Sequence, residues 1–243
     1  MRTRTVLLSL LGVVLAAAAL DGAAAFVTTR TTTAGPLDVS AVSKIRVEGE
    51  AGRLFISAAA DRPYEARLEG ERRGWGAVWR SGWFPVSCPE GGMRIDGDTL
   101  VVDLGNTHFY SWSDCTMTLT ARLKPEAAVA IDQRASQTDL RGDFSAVDVR
   151  SDAGDVSFRG HAAELSLSGA ALRARVVFDK VMQNETVALA GNMLDAGLRF
   201  LVPTPVSYLV EATASYVDSK LPNTPGARPA IHVRGDMVRV RIE

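Results

Sequence analysis

Residues 147–158 read VDVRSDAGDVSF. Val147 and Val149 alternate with charged residues, a Ser-Asp-Ala-Gly break follows, and Val156 and Phe158 resume the alternation. Apolar residues at period 2 describe a strand with one buried face, and Gly, Asp and Ser suit the bend between two such runs. The same texture recurs in both directions along the chain. It appears in IRVEGEAGRLFIS (residues 45–57), MRIDGDTLVVDL (93–104), LSLSGAALRARVV (165–177) and IHVRGDMVRVRI (231–242). Long helical periodicity is absent, so the sequence predicts an all-β domain.

The spacing of these units bears on their arrangement. Val129, Val147 and Leu165 begin successive copies 18 residues apart, and Val187, Tyr208 and Ile231 follow after 22, 21 and 23. One unit cannot bury its apolar face alone, whereas stacked coils share a continuous core. The regularity favours a short single-domain β-solenoid of about 18–23-residue repeats, with Val129, Val147 and Leu165 in one interior column. A β-sandwich is the alternative, because SDAG or RGD also closes a hairpin. The copy at 208 fits poorly, with Ser215 and Ser219 at expected core positions.

The organisation outside the repeats follows from composition. Arg2 and Arg4 precede an apolar run from Val6 to Leu20, and Ala23, Ala24 and Ala25 come next. A basic start, a short apolar core and small residues describe a secretory signal peptide, residues 1–25, with cleavage before Phe26. Retention of residues 6–20 as an inner-membrane anchor is the alternative, although a spanning helix needs about 20 apolar residues. Residues 26–42 are Thr-rich and read as a tether. Residues 43–243 form the repeat domain, interrupted at 70–115 by a Trp-rich insertion.

The chain has 243 residues, of which 47% are hydrophobic and 23% charged, as in folded globular proteins. A net charge of −1 gives no electrostatic drive toward nucleic acid. Two cysteines and three histidines nearly exclude a Cys/His zinc site, and no cofactor is expected. After export, Cys88 and Cys115 are expected to form a disulfide.

The motifs VDVRSDAGDVSFRG, LSLSGAALRARVV and IHVRGDMVRVRI, behind an exported leader and a Thr-rich stretch, resemble the bacterial adhesin-like families. Among these is the head domain of putative auto-transporter adhesins, a family of largely unknown function. The resemblance covers about residues 43–243 and implies a short β-solenoid with a cell-envelope interaction role. It supplies no catalytic residues, and the segment 70–115 departs from it.

All four tryptophans fall between residues 75 and 112. Trp75, Trp79, Trp83, Tyr110 and Trp112 are candidate ligand-binding residues, since aromatic platforms grip sugars and protein hot spots. A disulfide-stapled cap over one end of the stack is the structural reading of the same segment, and the one favoured, because an uncovered end exposes unpaired edges. The main functional expectation is an exported, non-enzymatic interaction protein whose partner is an envelope protein or glycan. The alternative is an envelope glycan-acting enzyme using Asp96, Asp98, Asp103 or Asp114 beside the aromatic cluster. His108, Ser111 and Asp114 contain the elements of a triad, but no G-x-S-x-G elbow accompanies them. His161 and His232 have no acid and nucleophile nearby in sequence. Asp148, Asp152 and Asp155 lack the glycine-rich calcium nonapeptide and read as turn residues. Arg234-Gly235-Asp236 and the acceptor triplet at Asn184 are expected to be chance occurrences in turns.

Overall fold

The computed structural model describes residues 12–17, 19–20, 23, 28–61, 63–73, 88, 91–105 and 115–243. Apart from helical residues at 12–17, 19–20 and 23, the described chain is nearly all β. The strands are β1 (Thr28–Asp38), β2 (Lys44–Ala58), β3 (Glu65–Arg73), β4 (Gly92–Asp96), β5 (Thr99–Asp103), β6 (Cys115–Leu123), β7 (Ala127–Phe178), β8 (Thr186–Phe200), β9 (Ser207–Ser219) and β10 (Ala230–Ile242). They form one sheet in the order β1-β3-β6-β2-β7-β8-β10-β9. β5 shares the β2 edge with β6: it pairs with Lys44–Glu48, and β6 pairs with Arg53–Ala58.

Pairing from β6 through β2 to β9 is parallel and almost without slippage. Ile45 faces Val129 and Val47 faces Ile131. Leu165 faces Val187, and Ile231 lies between Val187 and Tyr208. Both halves of IRVEGEAGRLFIS pair in parallel with β7, so its Gly-Glu-Ala-Gly break is a corner within one strand and not a hairpin turn. The segment 93–104 differs: β4 and β5 form an antiparallel hairpin around Gly97.

The 52 residues of β7 would span about 170 Å if straight. The strand instead folds back over itself. A Cβ built on Gly160 would lie 1.9 Å from the Gly142 carbonyl oxygen, and one on Gly169 would lie 1.8 Å from that of Ser151. Both contacts join residues 18 apart in sequence. Only glycine permits backbones to approach so closely. Val129, Ile131, Val147, Val149, Leu165 and Leu167 are all buried. At another bend Phe144, Phe158, Phe178 and Phe200 form a ladder with successive ring centroids 6.1, 5.6 and 5.2 Å apart.

Three features differ from the sequence expectation. Residues 28–38 form β1, which pairs antiparallel with β3, where a tether was expected. The β-branched threonines suit an extended strand as well as a linker. Within the 70–115 insertion, Thr99–Asp103 joins the ladder beside β2. The strand order also departs from the chain order, because β10 inserts between β8 and β9. The apolar faces of β10 (Ile231, Val233, Val238, Val240 and Ile242) are all buried, as an interior position requires. β9 carries Ser215 and Ser219 at the matching positions and takes the edge. Cys88 and Cys115 are joined, tying residue 88 to the start of β6.

Candidate functional site

Many outward-facing charges are ion-paired, several of them between stacked segments of the chain. Arg159 reaches Asp179 at 3.2 Å, Arg175 reaches Asp155 at 3.3 Å, and Arg234 reaches Glu211 at 2.8 Å. One region breaks this pattern. Strands β7, β8, β10 and β9 turn a common corner at Ala170, Asn192, Asp236 and Thr213, residues that the pairing registers skip. Gly169, Gly191 and Gly235 precede the corner in a column. A Cβ on Gly235 would lie 2.1 Å from the Gly191 carbonyl oxygen.

Just past the corner, three rows cross the four strands in register. Ala171, Met193, Met237 and Ala214 form the first, and Leu172, Leu194, Val238 and Ser215 the second. Arg173, Asp195, Arg239 and Tyr216 form the third. With Ala153, Gly154 and Asp155 they line an open, largely apolar groove of about 880 Å³. Met193, Met237 and Tyr216 are 52%, 58% and 58% exposed. Arg173 lies 4.0 Å from Asp195, and the Arg239 guanidinium sits 5.8 Å from the Tyr216 ring centroid. Methionine side chains adapt to irregular partners, and an arginine over an aromatic ring gives the rim a cationic side. This arrangement can hold an apolar or mixed surface. It offers no enclosed chamber for a reaction.

The aromatic candidates Trp75, Trp79, Trp83, Tyr110 and Trp112 lie outside the described residues, as do His108, Ser111 and Asp114. Of the candidate acids, Asp96 and Asp103 occupy opposite ends of the β4–β5 hairpin, facing Thr99 and Gly92. Four strand steps separate them by about 13 Å, beyond the roughly 5–9.5 Å that paired glycosidase carboxylates span. Asp103 accepts a hydrogen bond from the Gly105 backbone N–H at 2.8 Å. Asp98 ties the hairpin to the ladder. Its carboxylate accepts from the Ser43 hydroxyl and its carbonyl oxygen from the backbone N–H groups of Ser43 and Lys44. The hydrogen bonds from Ser43 and then Thr99 hold the Asp98 carboxyl below its ordinary range. The contacts of Asp98 and Asp103 hold the hairpin and its end in place.

Among the described residues, no group of three or more His, Cys, Asp and Glu side chains is placed to hold a metal ion. Asp155 is engaged by Arg175 and Asp148 by Arg150. Within Arg234-Gly235-Asp236, the arginine pairs with Glu211 and the glycine packs on Gly191. His161 and Glu185 meet at 3.2 Å, a contact that sequence proximity did not suggest. Glu185 is fully buried and accepts from the backbone N–H groups of Met182 and Asn184, so it locks the 179–185 connection. The corner groove was likewise not foreseen. Its one sequence signal is the Gly-x-Met pair in GNML and GDMV, residues 191–194 and 235–238.

No protein-family model matches the chain, and no curated protein matches it. Among solved structures it is similar to one described as a "putative cell adhesion protein" from Clostridium sporogenes. The two share 12% identity with a TM-score of 0.42, over 89% of this chain and 99% of that one. It is also similar to a "putative adhesin" from Bacteroides fragilis, at 11% identity and a TM-score of 0.38, over 88% of this chain and 97% of that one.

Proposed function

We propose that this chain is an exported, non-enzymatic, adhesin-like interaction protein. In this account its parallel ladder is a short β-solenoid, and the corner groove is its binding surface. The observation that carries the reading is the grouping of Met193, Met237 and Tyr216. They are large apolar side chains, each more than half exposed, on three adjacent strands. Contiguous apolar surface of this kind marks interaction sites on folded proteins, and of the charged residues that line it Asp155, Arg173 and Asp195 are ion-paired while Arg239 lies over the Tyr216 ring. Export is supported by the leader-like residues 1–25 and by the Cys88–Cys115 disulfide, which persists in oxidising compartments. No helix among the described residues is long and apolar enough to cross a membrane. The partner is an envelope protein or glycan, held in the periplasm or at the cell surface. The tryptophans of the 75–112 segment are a second candidate contact. No observation favours the glycan-acting enzyme.

A photo-crosslinking residue placed at Met237 in exporting cells tests the groove. The expected result is an adduct with an envelope component, absent when the probe replaces Arg159 on the ion-paired face. Equal yields at both positions, or none at Met237, would remove the groove from the account.

A further inference from the structure

We propose that β9 is an interface for a second copy of this chain, joined antiparallel across a two-fold axis at the corner between Thr213 and Ala214. Among the described residues, β9 ends the sheet and its ladder partner is β10 alone. Its Val217 stands in register with buried Val240 and is nevertheless 38% exposed, while Leu209 and Tyr216 are 49% and 58% exposed. The strand reads SYLVEATASYVDS. It contains no lysine, arginine or proline, the residues that commonly protect an open edge from pairing.

The backbone directions fix which groups are available. The Ser207 and Lys220 N–H groups donate to Pro229 and Ile242, toward β10. Alternation along each arm then aims the N–H and C=O of Val210, Ala212, Ser215 and Val217 away from β10. The same groups of Tyr208 are closed by the Asn223 side chain, which accepts at 3.0 Å and donates at 2.9 Å. The open stretch therefore starts after Tyr208 and runs around the corner.

A two-fold axis through the corner exchanges the two arms. Residues that face each other must both present free backbone groups and both point to the same side of the sheet. The inward positions are even-numbered before the corner (Tyr208, Val210) and odd-numbered after it (Ser215, Val217), so the axis falls between two residues. Centring it between Thr213 and Ala214 sets Val210 opposite the second copy's Val217, and Ala212 opposite its Ser215. Symmetry repeats both pairs. Val210 and Val217 then close the open end of the core, and Leu209 lies diagonal to Tyr216. Glu211 faces Tyr216 and Asp218 faces Leu209, so no acid opposes an acid. An unrelated extended peptide would satisfy the backbone groups alone. The order of side chains about the corner is what selects a second copy. The assembly would carry two grooves on one particle, raising avidity for a repetitive surface.

The test uses the full chain, expressed with its leader and purified from the compartment where it accumulates. Light scattering across a concentration series reaching about 100 µM should give a dimer mass. Ser215→Pro removes an outward N–H but no bond to β10, and Tyr216→Lys adds charge to the edge. Both should shift the mass to the monomer. Should Ser215→Pro fail to fold, Tyr216→Lys and the cross-link decide. Mixing Val210→Cys and Val217→Cys proteins under mild oxidation should give a disulfide-linked pair, and Val210→Cys alone should not. A monomer at every concentration, or a dimer that ignores Tyr216→Lys and yields no mixed cross-link, overturns the proposal. Mass reads the edge and the Met237 probe reads the groove, so either can fail without the other.

Discussion

Gly160→Ala places a methyl group where two turns of the chain touch. The new Cβ would lie 1.9 Å from the Gly142 carbonyl oxygen and 2.7 Å from its carbon. Ordinary contact begins near 3.4 Å, so segments normally about 4.8 Å apart would have to open by roughly 1.5 Å. Overpacking of this kind costs about 1–3 kcal/mol. Gly160 also has φ at +142°, which L side chains rarely adopt, adding about 1–3 kcal/mol. The expected loss is about 2–6 kcal/mol, or a fall in melting temperature of about 4–24 °C for a domain of this size. Gly197→Ala is the control. It lies in β8 with nothing within 4 Å of the new Cβ, and should stay within about 0.5 kcal/mol of the parent. Urea unfolding followed by circular dichroism reads both. A Gly160→Ala protein as stable as the parent, or equal losses in the two variants, would refute the close stacking of residues 142 and 160.

Phe178 is fully buried between Phe158 and Phe200, so Phe178→Ala should cost about 3–5 kcal/mol in urea unfolding, and a loss below about 1 kcal/mol would contradict the ladder. Replacing Cys88 and Cys115 by serine opens a loop of sequence separation 27 and should cost about 3–4 kcal/mol, read in the same assay; an unchanged midpoint would show that the bond adds nothing to stability. Hydrogen bonds from Ser43 and Thr99 hold Asp98 below its ordinary value of 3.8, and the hydrogen bond and charge of Lys220 hold Glu243 below 4.5. Depressed carboxyls stabilise the fold above their unfolded values, and that contribution is lost as pH falls through the folded ones. The urea midpoint should therefore drop on acidification below about pH 4, less steeply in Lys220→Met, and a midpoint that rises there would contradict these contacts.

The strands were legible because a half-buried strand must alternate. Val147, Val149, Leu165 and Leu167 declare their inward side by sequence alone, and all are buried. The cysteine pairing followed from there being two cysteines behind an export-like leader. What escaped was whatever depends on which strands become neighbours. Corners and hairpin turns use the same Gly and Asp residues, so IRVEGEAGRLFIS and MRIDGDTLVVDL look alike yet one is a cornered strand and the other a hairpin with its neighbour. The position of β10 was hidden because the period gives spacing and not order. Ser215 and Ser219 were the available clue, since they stand in register with buried Val238 and Ile242 and leave β9 without a continuous apolar face on its second arm. The groove draws its lining from residues as distant in sequence as Ala153 and Arg239, so no local motif could announce it. Glu185 and His161 meet by the same long-range stacking.

The groove exists because β10 lies between β8 and β9, and disulfide trapping tests that order directly. Asp195 faces Arg239 in β10, and Arg239 faces Tyr216 in β9. Neighbouring strands place such residues about 4.8 Å apart and next-nearest strands about 9.6 Å, beyond the reach of a disulfide. Under mild oxidation the Asp195→Cys/Arg239→Cys double variant should close its bond, and Asp195→Cys/Tyr216→Cys should retain two free thiols. Closure of the 195–216 pair without the 195–239 pair would mean that the strands stack in chain order, and the floor of the groove as described would not exist.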